Sequence, residues 1–208
     1  MKLDDLDPTN GLAAGPESLD PPLALLVCGA PGSGKSTVGA LVARRLHAAL
    51  LDLDTATASL VAVLGDLLGT DDLDDPDFVR LTRAARYEAL TALAEDNVAV
   101  GTSAVMVAPF TTERRDEKAW SLLRHRMERV GAVSTMVWLR ISAEEVVRRV
   151  DQRGAGRDLA KRRSEWSAGL DLAPPAVPHL AVDALLSPAT MADRVVSLLP
   201  RPSRDGGH

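Results

Sequence analysis

The stretch LALLVCGAPGSGKST, residues 23–37, decides the fold. It opens with a short, unbroken apolar run, Leu23 to Cys28, of the kind that suits a parallel strand buried on both faces. It then turns through glycines and enters a segment with Val38, Leu41, Val42 and Leu46 at helical spacing. Gly29, Gly34, Lys35 and Ser36 satisfy the pattern G-x-x-x-x-G-K-[ST], with Ala30, Pro31, Gly32 and Ser33 between them. Glycines let the backbone aim successive N–H groups at phosphate oxygens, and the helix that follows offers its positive end to the same anion. In such a loop Lys35 neutralises charge at the β- and γ-phosphates, Ser36 ligates Mg²⁺ and Thr37 reaches the α-phosphate. A nucleoside triphosphate with Mg²⁺ is therefore the expected ligand. The guanine-selecting pattern N-K-x-D does not occur, which points to ATP.

Outward from this stretch, strand-like and helix-like segments alternate. The spacing predicts strands over 50–53, 98–107, 133–141 and 180–185, and helices over 57–68, 76–95, 111–129, 142–153 and 189–199. Ser142 and Glu145 form a capping-box pattern at the start of one of them. This alternation implies parallel βαβ units, hence an α/β three-layer sandwich with a five-stranded parallel sheet. Ligands bind such sheets beyond the carboxyl ends of the strands, so the loops after Cys28, Leu53, Val107 and Ile141 should gather on one rim.

The chain has 208 residues, 46% hydrophobic and 25% charged, which fits one domain. Residues 1–22 read as a flexible acidic leader, 23–199 as the domain and 200–208 as a flexible tail. A net charge of −5 speaks against nucleic acid as a partner, since phosphate backbones select basic surfaces. No apolar run is long enough to span a membrane. The single cysteine, Cys28, leaves no internal disulfide and no cysteine metal site, which makes a cytoplasmic address the default. The histidines show no metal-ligand spacing.

The second expected strand ends in Leu51-Asp52-Leu53-Asp54, and a spacing of two puts both carboxylates on one face of an extended chain. Two like charges there need a cation or a substrate donor to compensate them, unless they are solvated strand-end or helix-capping aspartates, since Asp54 precedes Thr55 and a helical stretch. Arg114 and Arg115 follow the third strand onto the ligand rim, where one of them could hold an anionic group of a substrate. That third strand carries no Asp, so the usual strand-end carboxylate of a Mg²⁺ shell is absent.

The loop followed by an Asp-x-Asp strand end resembles the P-loop small-molecule kinases related to shikimate and gluconate kinase. It is also similar to ATP-binding proteins of the zeta-toxin and chloramphenicol phosphotransferase type. The resemblance extends to Ala108-Pro109-Phe110 with Glu113, Arg114 and Arg115, to Trp138-Leu139-Arg140, Arg149, Arg153-Gly154, Arg157-Asp158 and Lys161, and to Pro178-His179-Leu180. It implies that Asp52 assists Mg²⁺ and that Asp54 is the base or orienting group for a substrate hydroxyl. It further implies a short Arg-rich lid, with Arg153, Arg157 and Lys161 closing over the phosphates on hinges at Gly154 and Gly156, and a substrate flank bearing Arg80 and Arg83. Of the adjacent Arg148 and Arg149 only one can face inward, and Arg149 is the expected one.

The activity so implied is transfer of the γ-phosphate of ATP to a hydroxyl of a small molecule. Two other readings remain open at this point. One is a nucleoside monophosphate-type kinase, in which arginines surround a phosphate acceptor. The other is an ATP-binding switch or toxin-like module that transfers nothing.

Overall fold

The computed structural model describes residues 21–70, 75–152 and 170–200. Its strands are β1 (Leu23–Gly29), β2 (Ala49–Asp52), β3 (Ala104–Val107), β4 (Val133–Arg140) and β5 (His179–Asp183). Its helices are α1 (Lys35–Leu46), α2 (Leu53–Leu68), α3 (Pro76–Ala99), α4 (Glu117–Arg129), α5 (Ala143–Gln152) and α6 (Pro188–Leu198). The strands form one five-stranded sheet in the order β2-β3-β1-β4-β5, and every pairing is parallel. The α/β three-layer architecture follows as the sequence implies; the Arg-rich lid segment, Arg153 to Lys161, lies outside the described residues.

β1 is central and wholly buried, and its period of two divides the core. Leu23, Leu25 and Val27 face one layer with Val38 and Val42 of α1, Val146 of α5 and Val195 of α6. Ala24, Leu26 and Cys28 face the other, with Leu90 and Ala94 of α3 and Trp120, Leu123 and Met127 of α4. Full burial of each large aliphatic is worth about 1.5–3 kcal/mol, enough to hold β1 as the spine from which the glycine turn springs.

Several boundaries move for physical reasons. The run expected as a strand from Val98 belongs at its start to α3, which continues to Ala99. Leu90, Ala94 and Val98 are four apart and all buried, so helical packing overrides the β-branched composition. β3 is left with Ala104 to Val107. The helix expected from Thr111 begins at Glu117, where the Asp116 side chain accepts from the Lys118 and Ala119 amides. Ser142 does cap α5, accepting from the Glu145 amide at 3.3 Å.

The largest correction concerns Asp52 and Asp54. β2 stops at Asp52, and helix α2 starts at the next residue. Asp52 is the N-cap, its Oδ1 accepting from the amides of Asp54 at 3.1 Å and Thr55 at 3.3 Å. Asp54 therefore stands in the first helical turn, not on an extended chain. Strand alternation and helix capping compete over the same four residues, and the cap wins because it satisfies otherwise orphaned amides.

Candidate functional site

The loop between β1 and α1 is built by glycine. Gly29, Gly32 and Gly34 have φ of 150°, 76° and 92°. A Cβ on Gly29 would lie 2.8 Å from Ser33 Oγ and 2.9 Å from the Leu139 carbonyl oxygen, so the turn closes directly on β4. Gly34 begins α1 with no side-chain cap, leaving the first-turn amides free for an anion. Lys35 folds back, and its ammonium donates to the Ala30 carbonyl at 3.0 Å. Burial lowers the Lys35 pKa, and the nearby Cys28, Asp54 and Asp52 act against that shift. Ala30 and Ser33 are buried, Pro31, Ser36 and Thr37 exposed.

Arg149 is the inward arginine. Its guanidinium donates to the Gly32 carbonyl at 3.1 Å and to the Ala184 carbonyl at 2.5 Å, tying the glycine turn to the loop after β5. Glu145 orients it, accepting from Arg149 Nε at 2.6 Å and also pairing with Arg148.

Next to this turn lies a cavity of about 390 Å³ at the carboxyl ends of β2 and β3. Pro31, Lys35 and Ser36 line one side; Asp52, Asp54, Arg83, Arg86 and Tyr87 line the other, with Val107, Ala108 and Pro109 between. A larger hollow of about 540 Å³, lined by Trp120, Met136, His179 and Leu180, holds no part of the glycine turn.

The α2–α3 wall is a set of mutually paired side chains. Asp54 Oδ1 accepts from Arg86 at 2.6 Å, and Arg86 Nε donates to the buried Thr57 hydroxyl at 2.9 Å. Arg83 donates to Thr112 Oγ1 at 3.2 Å, lies 3.8 Å from Glu113 and sits 4.1 Å from the Tyr87 ring centroid. The Tyr87 hydroxyl accepts from the Phe110 amide at 3.1 Å, and the two rings meet edge to face. Burial raises the Tyr87 pKa, so it stays a neutral phenol. Phe110 has φ of 46°, a left-handed conformation that costs a bulky residue about 1–3 kcal/mol and is typical of loops held for a purpose.

Of the residues expected at the site, the cavity thus brings together Pro31, Lys35, Ser36, Asp52, Asp54 and Arg83. It does not include Arg80 or Arg114. Arg80 is 72% exposed and pairs with Asp77 on its own helix. Arg114 is 2% exposed and pins a distant segment, donating to the Ala173 and Asp171 carbonyls and pairing with the Asp171 carboxylate. Burial works to raise the Asp171 pKa, but hydrogen bonds from Arg115 and Arg114 outweigh it and hold that carboxyl below its ordinary range. Arg153 and Arg157 lie outside the described residues. Arg86 was missed: an arginine three residues after Arg83 completes an i, i+3 pair on one face of α3, and that spacing was the available signal.

A glycine-built phosphate turn between a buried central strand and a helix, on a parallel sheet of this order, defines a P-loop nucleotide-binding protein. A family model described as AAA domain matches residues 25–175, and the chain belongs to that family. No curated protein matches the chain. Among solved structures, a provisional kinase from Chloroflexus aurantiacus superposes with a TM-score of 0.62 at 20% identity, covering 86% of this chain and 100% of that one. An APS kinase from Mycobacterium tuberculosis, in complex with AMPPNP and APS, gives 0.55 at 24% identity, covering 86% and 98%. A gluconokinase from Sinorhizobium meliloti gives 0.53 at 18% identity, covering 86% and 91%. The chain has the fold of P-loop kinases. Among the described residues no helix is long and apolar enough to cross a membrane.

Proposed function

We propose that this chain is an ATP-dependent kinase that passes the γ-phosphate to a hydroxyl of a small molecule. The observation that carries the reading is a single cavity with a phosphate turn on one side and a carboxylate-bearing wall on the other. The residues fit the nucleotide: side chains are missing at Gly29, Gly32 and Gly34, where a phosphate chain must approach the backbone, and the α1 amides are uncapped. Bound Mg²⁺ would neutralise phosphate charge and orient the β- and γ-phosphates. Ser36 and Asp52 line the same cavity and are the groups to hold it. Both capping bonds of Asp52 fall on Oδ1, so its other oxygen is not needed for the cap.

Phosphoryl transfer leaves the protein mainly alignment and charge neutralisation. Lys35 would leave the Ala30 carbonyl for phosphate oxygens. Asp54, its carboxylate directed by Arg86, would accept the hydrogen bond and then the proton of the attacking hydroxyl. Arg153 and Arg157 are proposed to add charge over the phosphates. A hydroxyl acceptor is favoured over a phosphate acceptor by how the arginines are spent. Arg80 and Arg114 are held outside the cavity, and Arg83 and Arg86 each face a carboxylate already.

The test is ADP release with Mg²⁺-ATP over a panel of sugars, polyols, nucleosides and hydroxylated antibiotics. At least one hydroxyl compound should stimulate release above the basal rate. Stimulation by nucleoside monophosphates alone would replace this reading with the monophosphate-kinase one; ATP binding with no stimulation would favour a switch.

A further inference from the structure

Helix α2, which carries Asp54 and is capped by Asp52, buries only one face. Leu53, Thr57, Val61 and Gly65 pack inward. Beside that face Leu60, Val63, Leu64, Leu67 and Leu68 form an i, i+3, i+4, i+7, i+8 stripe, and they are 67%, 55%, 40%, 75% and 57% exposed. Between Asp54 and Asp66 the helix has no charged residue. A row of large aliphatic side chains left in water beside a helix's packed face is unusual for an uncovered surface, and a stripe without charge has the composition of an interface core.

We infer that this stripe is the contact by which a second copy of the chain docks, α2 against α2 about a two-fold axis. Self-pairing suits it because a two-fold interface needs one patch complementary to itself, and an uncharged aliphatic row meets that need without opposing like charges. The exposed parts of the five side chains amount to on the order of 500 Å² of apolar surface, at the upper end of the largest patch an ordinary monomer shows. Two copies would bury roughly 1,000 Å² from these residues alone, the size at which specific association begins. Four segments of the chain are poorer covers by composition: residues 1–20 scatter their leucines among aspartates, prolines and glycines, 71–74 are Asp-Asp-Leu-Asp, 153–169 are dominated by charged and small residues, and 201–208 hold no large aliphatic. The dimer would brace the helix that presents Asp54 to the cavity, yet the inference stands apart from the kinase reading, since it requires no turnover.

Light scattering on the eluting full-length chain, over a range of concentrations, should give twice the monomer mass. The double variant Leu64→Asp/Leu67→Asp should elute as a monomer, with association at least about tenfold weaker. Both positions are exposed, so its circular dichroism spectrum should match the parent. A Leu64→Cys variant gives a second route, because Cys28 is buried and does not compete: mild oxidation should yield a covalent dimer. A wild-type chain that is monomeric throughout overturns the proposal, as does a dimer that survives both aspartates. A monomer that sediments with phosphatidylcholine vesicles would assign the stripe to a lipid surface and overturn it equally.

Discussion

The two sides of the cavity are built on opposite principles. The phosphate side is backbone: amides, carbonyls and glycines wedged against β4 so closely that a single methyl group at Gly29 has no room. The opposite side is side chain: Asp54, Arg86, Arg83 and Tyr87 line the cavity from helices α2 and α3 and hold one another by ion pairs and a ring contact. Asp54 itself is 88% exposed, where an ion pair is worth little to stability. On the proposed reading, a backbone site would serve a ligand common to many proteins, whereas a side-chain wall could be changed one residue at a time to suit an acceptor. The contrast teaches where generality and specificity reside in this molecule.

It can be broken or sharpened by substitution. The largest effect expected is on the wall: Asp54→Asn should lower kcat by about 10²–10⁴-fold, the usual contribution of a positioned base, while leaving ATP affinity unchanged. Steady-state kinetics with isothermal titration of a non-hydrolysable analogue will separate the two, and a variant that keeps near wild-type turnover would remove Asp54 from its role. Lys35→Ala should instead strike the nucleotide. Losing a charge-assisted hydrogen bond costs about 1.5–3 kcal/mol, or roughly 10- to 150-fold in ATP affinity by the same titration. Unaltered affinity would mean that the turn does not hold phosphates.

Gly29→Ala, followed without nucleotide, probes the rigidity of the turn. Its methyl must displace both Ser33 Oγ and the Leu139 carbonyl, and such overpacking costs about 1–3 kcal/mol, readable as a lower denaturation midpoint. An unchanged midpoint would show that the turn yields more than its contacts suggest.

The effect that is smallest near neutral pH is electrostatic. Burial raises the Cys28 thiol from its ordinary 9.0 to about 12. Between those values the unfolded chain gives up this proton and the folded chain keeps it. Stability should therefore fall as pH rises, by about 1.4 kcal/mol per unit at most. Lys35, whose pKa burial lowers, contributes with the opposite sign. The diagnostic is thus the difference between wild type and Cys28→Ala in urea denaturation across that window. Cys28→Ala should lose the downward component; identical slopes would show that the thiol titrates alike in both states.

How much of this was legible in the sequence follows the same division. The phosphate turn could be read outright, because its chemistry lies in consecutive residues whose spacing is fixed by the chain itself. The parallel sheet followed from alternation of strand and helix patterns. The wall could be read only in part. Asp52 and Asp54 were recognisable as a pair, but Leu51 and Leu53 alternate with them as in a strand, so the strand end took precedence over the helix cap that Thr55 and the following helical stretch also allow. Arg83 was placed correctly on α3, whereas Arg80, three residues earlier, turns to Asp77 instead. Arg114 stands on the ligand rim in sequence, yet its burial against Asp171 depends on a segment 57 positions away. Arg86 acquires its role only when α2 and α3 pack together. Contacts between elements, not within them, are what the one-dimensional pattern lacks.

The measurement that tests phosphoryl transfer most directly is ³¹P NMR of a reaction between Mg²⁺-ATP and whichever hydroxyl acceptor stimulates ADP release. Phosphoryl transfer to a hydroxyl predicts loss of the γ-phosphate resonance of ATP, with growth of one phosphate monoester signal in equal amount to ADP. Accumulation of inorganic phosphate alone, with no ester formed, would contradict it.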